Sequence, residues 1–532
     1  MALRARLSAP KELQSDWPFH HAKWTAISSS IMWGGDRRME AENYLSGGYG
    51  IRLAMDARTS GRGRLADFAR VWQPSRLKGI QVSPSYGTPF LAATQVFDMR
   101  PAPRKWLSLE RTDNVADRMV SSGQILVTCS GSVGRATLAH KPHEGMLISH
   151  DLLRVDPIDE AHRGWVYAFL RSPQGRAMMG AVQYGHIIKH LEVPHVGGLP
   201  LPLPREQILA DFNARTRRIL ELRIEAHEKA RKAEEKFKSL FPSLKEPRSS
   251  HLGFEVSAST LFGTRRRLDA SCFVPTVDAI EDAFAADAAR VEPLHKLVVK
   301  AFAPGRFKHI YGDGGMPYLD SADILEVNPD ITKFVLSLSS EEQKEYHVEP
   351  GWILIPCSGQ VYGNVGHAVL STEYHVGKVL TNHILRVAPN NKIRSGYLQC
   401  VLGHPQLGRP RVVRFAFGSS VPEIAAVDVL TAPIPRFSKK VEDELADLME
   451  SSAVARDQAD ELEQELATEA ELLIDAFMEG DTERFVSDVV EPKLRLVGLP
   501  SGRAEGDLSY ETVDAINAAH APAGEVTVHS SL

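Results

Sequence analysis

The chain has 532 residues, 43% of them hydrophobic and 24% charged, and a formal net charge of −5 at pH 7. That length holds two substantial cores plus connecting elements, at about 100–200 residues per domain. It contains no apolar run long enough to span a bilayer, its start (Met1-Ala-Leu-Arg-Ala-Arg6) lacks the apolar stretch of a signal peptide, and its four cysteines include no CxxC pair. These facts argue against a membrane span, a disulfide framework and a structural zinc site, so the expectation is a soluble cytoplasmic protein.

In chain order, residues 1–36 read as an N-terminal extension. Residues 37–204 read as a mixed α and β region. Within it, Ser46-Gly-Gly-Tyr-Gly50 reads as a turn or a place of close backbone approach, and Gln124–Cys129 is a short apolar run bounded by glycines, hence a buried strand. Leu152–Val155 reads as a further strand, Trp165–Leu170 has helical spacing, and Leu199-Pro-Leu-Pro-Leu-Pro-Arg205 is a stop. Residues 205–241 then form a long helix with apolar or small residues at Ile208, Phe212, Ile219, Leu222, Ala226, Ala230, Ala233, Phe237 and Leu240. A polar linker, 242–264, leads to a second mixed region, 265–436, where Tyr311-Gly-Asp-Gly-Gly315 reads as a turn or a place of close backbone approach, Trp352–Cys357 and Ile384–Val387 as strands, and Tyr397–Leu402 as a helix. A second long helix follows at 437–480. Val441, Leu448, Ala455 and Leu462, continued at Ala476, form one heptad column, and Leu445, Ser452, Ala459, Leu466 and Leu473 form the other. Residues 481–532 are expected to be a partly mobile tail.

The two mixed regions repeat one another. Gly123-Gln-Ile-Leu-Val-Thr-Cys-Ser-Gly131 returns as Gly351-Trp-Ile-Leu-Ile-Pro-Cys-Ser-Gly359. Arg38-Met-Glu-Ala-Glu-Asn-Tyr44 returns as Arg267-Leu-Asp-Ala-Ser-Cys-Phe273, and Gly87-Thr-Pro-Phe-Leu91 as Gly315-Met-Pro-Tyr-Leu319. His150-Asp-Leu-Leu-Arg-Val-Asp-Pro157 returns as Asn382-His-Ile-Leu-Arg-Val-Ala-Pro389. A repeat of this size is a whole domain, because solenoid units run at roughly 20–50 residues. Two copies of one reader suggest a two-part target.

The charge is segregated. Residues 437–480 carry 14 acids against Lys439, Lys440 and Arg456, and 205–240 carry ten Lys and Arg against seven acids. Antiparallel pairing of the two helices would satisfy both flanks and both seams; the alternative is two solvated helices, each packed on its own domain. Without the acidic segment the chain is positive, so the net charge does not exclude nucleic acid.

These phrases, in this order and twice over, resemble the specificity (S) subunits of type I restriction-modification systems, the HsdS family. The Arg-x-[Asp/Glu]-Ala start, the Gly-x-Ile-Leu strand, the Tyr184-Gly185 and Phe417-Gly418 segments and the Leu-Pro-x-Pro stop carry the resemblance, over about 37–480; Pro204-Arg-Glu-Gln-Ile208 opens the first helix in the family's manner. The resemblance implies an α+β fold of two tandem-repeat target recognition domains separated by a pair of long antiparallel coiled-coil helices. It implies a non-catalytic subunit that reads a bipartite double-stranded DNA site and directs two methyltransferase subunits, with a restriction or other effector subunit, and needs no cofactor or metal of its own. The second copy departs from the pattern, with Pro435-Arg-Phe-Ser438 at its helix start and four residues inserted after Gly359. This leaves open a specificity factor of a related defence or methylation system.

Base reading needs donors and acceptors on loops. The first region offers Arg76, Lys78, Gln81, Tyr86, Ser132, Arg135, His186 and Lys189; the second offers Arg306, Lys308, His309, Tyr311, Gln360, Tyr362, Asn364, Asn382 and Ser419. Arg265-Arg-Arg267 is a phosphate candidate or a basic linker end. The equivalent Cys129 and Cys357 read as small buried residues, since no matched His follows to activate a thiol. His150-Asp151 is unmatched by Asn382-His383, which argues against acid–base chemistry. A rival reading, a self-contained DNA methyltransferase or nuclease, would need an Asn/Asp-Pro-Pro-aromatic motif with a cofactor glycine loop, or clustered metal ligands. A third is a pseudosymmetric scaffold that binds only proteins.

Overall fold

The computed structural model describes residues 43–44, 47–76, 78–112, 114–185, 189–245, 253–263, 267–336 and 338–486. The expectations for the N-terminal extension and for most of the C-terminal tail lie outside these residues. The chain divides into two compact units. Unit 1 comprises Met1–Val96, Pro101–Glu221 and Glu461–Leu532, and unit 2 comprises Phe97–Arg100 and Leu222–Asp460.

Unit 1 contains α1 (Gly47–Asp56), β1 (Arg62–Arg64), β2 (Ala69–Trp72), β3 (Gln81–Val82), β4 (Thr88–Leu91), β5 (Lys105–Leu107), β6 (Ile125–Thr128), β7 (Ala136–Leu138), β8 (Leu147–Ile148) and β9 (Leu152–Pro157). The helices α2 (Arg163–Arg171) and α3 (Pro173–Val182), strand β10 (Pro200–Pro202) and the start of the long α4 (Glu206–Ser239) follow in this unit, up to Glu221. The strands pair in the orders β2-β9-β6-β7, β3-β5-β4-β8 and β1-β10, with β4–β8 the parallel pair. All four residues of β6 are buried, as its unbroken apolar run requires.

Unit 2 contains α5 (Pro275–Asp287), β11 (Arg290–Pro293), β12 (Val298–Phe302), β13 (Tyr311–Leu319), β14 (Phe334–Val335), β15 (Ile353–Pro356), β16 (Val369–Leu370), β17 (Val379–Leu380), β18 (Ile384–Pro389), α6 (Ser395–Gly403), β19 (Pro433–Arg436) and the first part of α7 (Lys439–Glu479). Its orders are β12-β18-β15-β16, β14-β13-β17 and β11-β19, with β13–β17 parallel. The central strand β15 alternates in the manner of a pleated strand: Ile353 and Ile355 enter one core cluster and Leu354 another. Phe97–Arg100 is built into this unit. Met99 N–H donates to Leu325 O (2.8 Å), Val327 N–H donates to Phe97 O (2.7 Å), and Asp98 bridges Glu326. Arg100 forms an ion pair with the buried Glu234.

Each unit packs a domain helix on a long helix through a glycine. A Cβ on Gly164 of α2 would stand 2.4 Å from Phe212 O of α4, and one on Gly396 of α6 would stand 2.4 Å from Ala446 O of α7. The residue beside each glycine ties down the Pro-x-Pro stop, whose prolines lack N–H groups but keep their carbonyls. Trp165 Nε1 donates to Pro202 O (2.7 Å) and Tyr397 Oη to Pro435 O (2.6 Å).

Within unit 2, Arg223 meets Asp460 (2.9 Å), Ser452 Oγ donates to Ala226 O (2.6 Å) and Lys236 pairs with Glu444, so α4 and α7 run antiparallel. In unit 1, Arg215 reaches Glu469 at 2.7 Å. The two long helices are thus compatible with a coiled-coil pair, but the seam is wider than the heptad reading. Leu445, Ala459, Leu466 and Leu473 are buried as expected, whereas Val441, Leu448, Leu462 and Ala476 are only half-buried. Burial extends instead to Ala446, Ala453, Ala470 and Ile474, because α7 also packs on the cores of the units. Four of its acids are buried and partnered rather than solvated. Glu442 accepts from Arg436, Asp457 from Arg456, Asp460 from Arg223, and Glu463 from the Tyr167 hydroxyl.

Of the two glycine segments read as turns, one opens a helix and the other is an irregular part of a strand. Gly47–Gly50 opens α1, where a Cβ on Gly48 would collide with Ala177 O at 1.8 Å. Tyr311–Gly315 lies in β13, where Cβ atoms on Gly312 and Gly315 would stand 2.5 Å from Leu336 Cδ1 and 2.4 Å from Val335 O. Gly48, Gly312 and Gly315 answer a close neighbour, whereas Gly314 (φ 85°) lies where the ladder breaks register, Tyr311 and Met316 both pairing with Val335.

Candidate nucleic-acid interface

The sheet order places the end of β2, the end of β6 and the start of β9 at one edge of unit 1. Gln73, just after β2, binds this edge together: its Nε2 donates to His150 O (2.7 Å) and lies 3.3 Å from Cys129 Sγ. Arg76 and Lys78 follow on the same loop and are exposed. The loop after β6 carries exposed Ser132 and half-buried Arg135, and Gly131 N–H donates to Lys189 O (3.0 Å), so Ser132 and Lys189 come from one joined pair of loops. Gln81 lies in β3 and Tyr86, 82% exposed, in the 3₁₀ turn before β4, so these two belong to the second sheet. His186 lies outside the described residues.

Unit 2 repeats this edge with other side chains. Arg306, Lys308 and His309 follow β12; Gln360, Tyr362 and Asn364 follow β15; Asn382 precedes β18. Gly359 N–H donates to Pro422 O (3.0 Å) and Gln360 Nε2 to Ser420 O (3.3 Å), which joins the Ser419 loop to the Gln360 loop. Tyr311 opens β13 on the second sheet, its ring stacked on His309 at 5.6 Å. Burial and the neighbouring Lys333 and His383 hold His309 below the usual imidazole range.

Both edges rest on a buried arginine that sequence reading left as anonymous scaffold. Arg154 Nη1 donates to Ser149 O (2.9 Å), and its Nη2 reaches Ile148 O (3.3 Å). Arg386 Nη1 donates to Thr381 O (3.0 Å) and Ile384 O (2.6 Å), and its Nη2 to Leu380 O (2.8 Å). Each guanidinium thus clamps the turn that carries His150 or Asn382. Burial pushes both down to about 10, which leaves them charged at neutral pH. The repeated Leu-Arg-Val was the available signal.

Neither cysteine pair nor histidine pair is arranged for catalysis. Burial pushes the Cys129 and Cys357 thiols up to about 12, far from thiolate formation. Burial lowers His150 despite Asp151, and the charges of Arg118, Arg76 and Arg154 act in the same direction as burial. Arg267 is no free phosphate ligand: it donates to Phe415 O (3.1 Å), Arg414 O (3.3 Å) and Asp269 Oδ1 (2.8 Å), closing the end of the helix before the Ser419 loop. Arg265 and Arg266 lie outside the described residues. Among the described residues no group of three His, Cys, Asp or Glu side chains is placed to hold a metal ion, and no helix is long and apolar enough to cross a membrane.

No family model matches the sequence, and no curated protein matches it. Solved structures of type I restriction-modification S subunits align with it in structure rather than in sequence. The S subunit from M. genitalium aligns over 79% of this chain and 94% of its own, at 15% identity and a TM-score of 0.32. The HsdS subunit from Thermoanaerobacter tengcongensis aligns over 79% and 96%, at 14% identity and a TM-score of 0.24. A structure described as the basis of complex assembly and conformational transition of the type I R-M system aligns over 79% and 97%, at 14% identity and a TM-score of 0.25.

Proposed function

We propose that the chain is a non-catalytic DNA-specificity subunit of the HsdS kind. Residues 37–204 and 265–436 are two target recognition domains, each reading one half of a bipartite site, and 205–241 and 437–480 set the unread gap between the half-sites. The single observation that carries this reading is the repeated sheet edge with differing exposed and half-buried side chains. Arg76, Lys78, Ser132 and Lys189 stand on one copy, and Arg306, Lys308, Gln360, Tyr362, Asn364 and Ser419 on the other. A shared frame with divergent loops is what two half-sites of different sequence require, with phosphate contacts for register and base-edge contacts for identity. Two methyltransferase subunits and an effector subunit supply the chemistry in the cytoplasm.

Methylome sequencing of cells expressing the chain with its methyltransferase partner tests the reading. The expected motif is bipartite with a fixed unread spacer, and a short contiguous motif sinks the proposal. Exchange of residues 265–436 for those of a homologue should change one half-site alone. Methyl transfer from labelled S-adenosylmethionine by the purified chain, without partners, would favour the self-contained enzyme instead.

A further inference from the structure

The two copies differ in the turn after the central strand. In unit 1 this turn runs from Gly131 (φ 75°) to Gly134 (φ 81°); in unit 2 it runs from Gly359 (φ 127°) to Gly366 (φ 79°), with four more residues between. Left-handed φ at both ends suits glycine and frames the same turn in each copy. The longer turn is not slack. Val365 is buried, Val361 packs against the main core of unit 2, and Gly363 N–H donates to Gln360 O (2.9 Å). A Cβ on Gly366 would stand 2.6 Å from Val413 Cγ2, so that end of the turn sits directly on the short helix Arg409–Val413.

The turn's carbonyls converge on one guanidinium. Arg409 Nε donates to Val365 O (3.2 Å), and its Nη2 donates to Val361 O (2.7 Å) and Gly363 O (2.9 Å). In unit 1 a hydroxyl serves the shorter turn: Thr128 Oγ1 donates to Ser132 O (2.6 Å) and accepts from Arg135 N–H (3.0 Å). Unit 2 has Pro356 at that place, which carries no hydroxyl. With both valines turned inward, Tyr362 is left outward and 68% exposed. A large ring on an immobilised backbone loses little freedom on binding, which is what an anchor side chain needs.

We propose that Tyr362 is a specificity-determining residue, presenting its ring to base edges of the half-site read by unit 2, and that Arg409 is its positioning residue. The proposal rests on the DNA-reading function above. A neutral ring neutralises no phosphate, so it adds affinity without adding to the salt dependence, whereas a Lys or Arg on a phosphate adds about one unit to the slope of log K against log salt.

The test uses the full chain in complex with its methyltransferase subunits and a duplex carrying the motif found by methylome sequencing, with binding measured at several KCl concentrations. Tyr362→Ala should weaken binding about ten-fold, the order expected from one lost base-pair-specific contact in a duplex site. The salt slope should stay unchanged, the motif should relax only in the half-site assigned to unit 2, and Tyr362→Phe should bind like the parent chain. Arg409→Met should produce the same half-site defect and add little to it when combined with Tyr362→Ala, the coupling that a merely structural arginine would not show. Binding within two-fold of the parent with an unchanged motif overturns the proposal, as does a lowered salt slope or a defect in the other half-site. A parent complex with no bipartite motif overturns the function proposed above; a bipartite motif indifferent to Tyr362 overturns this inference alone.

Discussion

Arg154 and Arg386 show how a single side chain holds a sheet edge in place. Arg386 is fully buried and spends its hydrogen bonds on the carbonyls of Leu380, Thr381 and Ile384. Hydrogen bonds from charged donors contribute about 1.5–3 kcal/mol each, and orphaned buried carbonyls cost about 1–3 kcal/mol. Arg386→Met should therefore destabilise unit 2 by about 3 kcal/mol or more in urea denaturation. Arg386→Lys should rescue little, because one ammonium cannot span three carbonyls as a planar fork does. A loss below about 1 kcal/mol would mean that the clamp is dispensable. His404 makes a second prediction. Its Nδ1 accepts from Gln406 N–H and Leu407 N–H (both 3.1 Å) and its Nε2 lies 3.2 Å from Glu234 O, a pattern only the neutral Nε2–H tautomer satisfies. Burial, reinforced by Arg100, Lys238 and Arg231, pushes it down to about 3, and burial with Arg456 and Lys378 does the same for His375. Between about 3 and the ordinary value near 6.5 the unfolded chain takes up protons that the folded chain refuses. Stability should thus be full above about pH 6.5 and fall as the pH drops, and His404→Gln should flatten that fall. A urea midpoint independent of pH between 7.5 and 5 would contradict it.

At the scale of elements, two glycines in helices should respond to alanine with opposite signs. Ala is favoured over Gly inside a helix by about 1 kcal/mol. A Cβ on Gly180 of α3 meets nothing within 4 Å, so Gly180→Ala should stabilise unit 1 by about 0.5–1 kcal/mol. A Cβ on Gly396 would stand 2.4 Å from Ala446 O and 2.7 Å from Glu450 Cγ. Overpacking of this kind costs about 1–3 kcal/mol, so Gly396→Ala should destabilise despite its helix propensity. Equal effects in the two denaturation curves would remove the close approach of α6 to α7 as the reason for the glycine. The same contrast explains what was legible in the sequence. The strands at Ile125–Thr128 and Ile353–Pro356 and the helices at Arg163–Arg171 and Ser395–Gly403 announced themselves, because local apolar runs and helical spacing made them. At Gly48, Gly312 and Gly315 the turn reading missed Ala177, Leu336 and Val335, close neighbours that local sequence does not name. The candidate loops were visible as places where the copies differ. Arg409 and Arg267 were not identifiable as their anchors, since an arginine on a carbonyl and one on a phosphate look alike in sequence.

At the scale of the whole molecule, neither unit is encoded by a continuous stretch of chain. Unit 1 completes its core with Leu466, Ala470, Leu473, Ile474 and Phe477 from the far end of α7, and unit 2 includes Ala233 and Phe237 from α4. Polar contacts follow the same route: in unit 1, Gln174 Nε2 donates to Asp475 Oδ1 (2.7 Å) and Tyr167 donates to Glu463. Burial of a large apolar side chain contributes about 1.5–3 kcal/mol. Four such side chains from α7 together contribute on the order of 10 kcal/mol, comparable to the entire stability margin of a typical domain, about 5–15 kcal/mol. A fragment ending at residue 241 should therefore lack a cooperative unfolding transition as a monomer, although it contains every strand of unit 1. Addition of a separately made peptide covering 437–486 should restore that transition, with a midpoint that rises with peptide concentration as mass action requires. Circular dichroism during urea titration reads both outcomes. A fragment that unfolds cooperatively on its own, with a midpoint the peptide does not move, would show that α7 packs on unit 1 without supporting it.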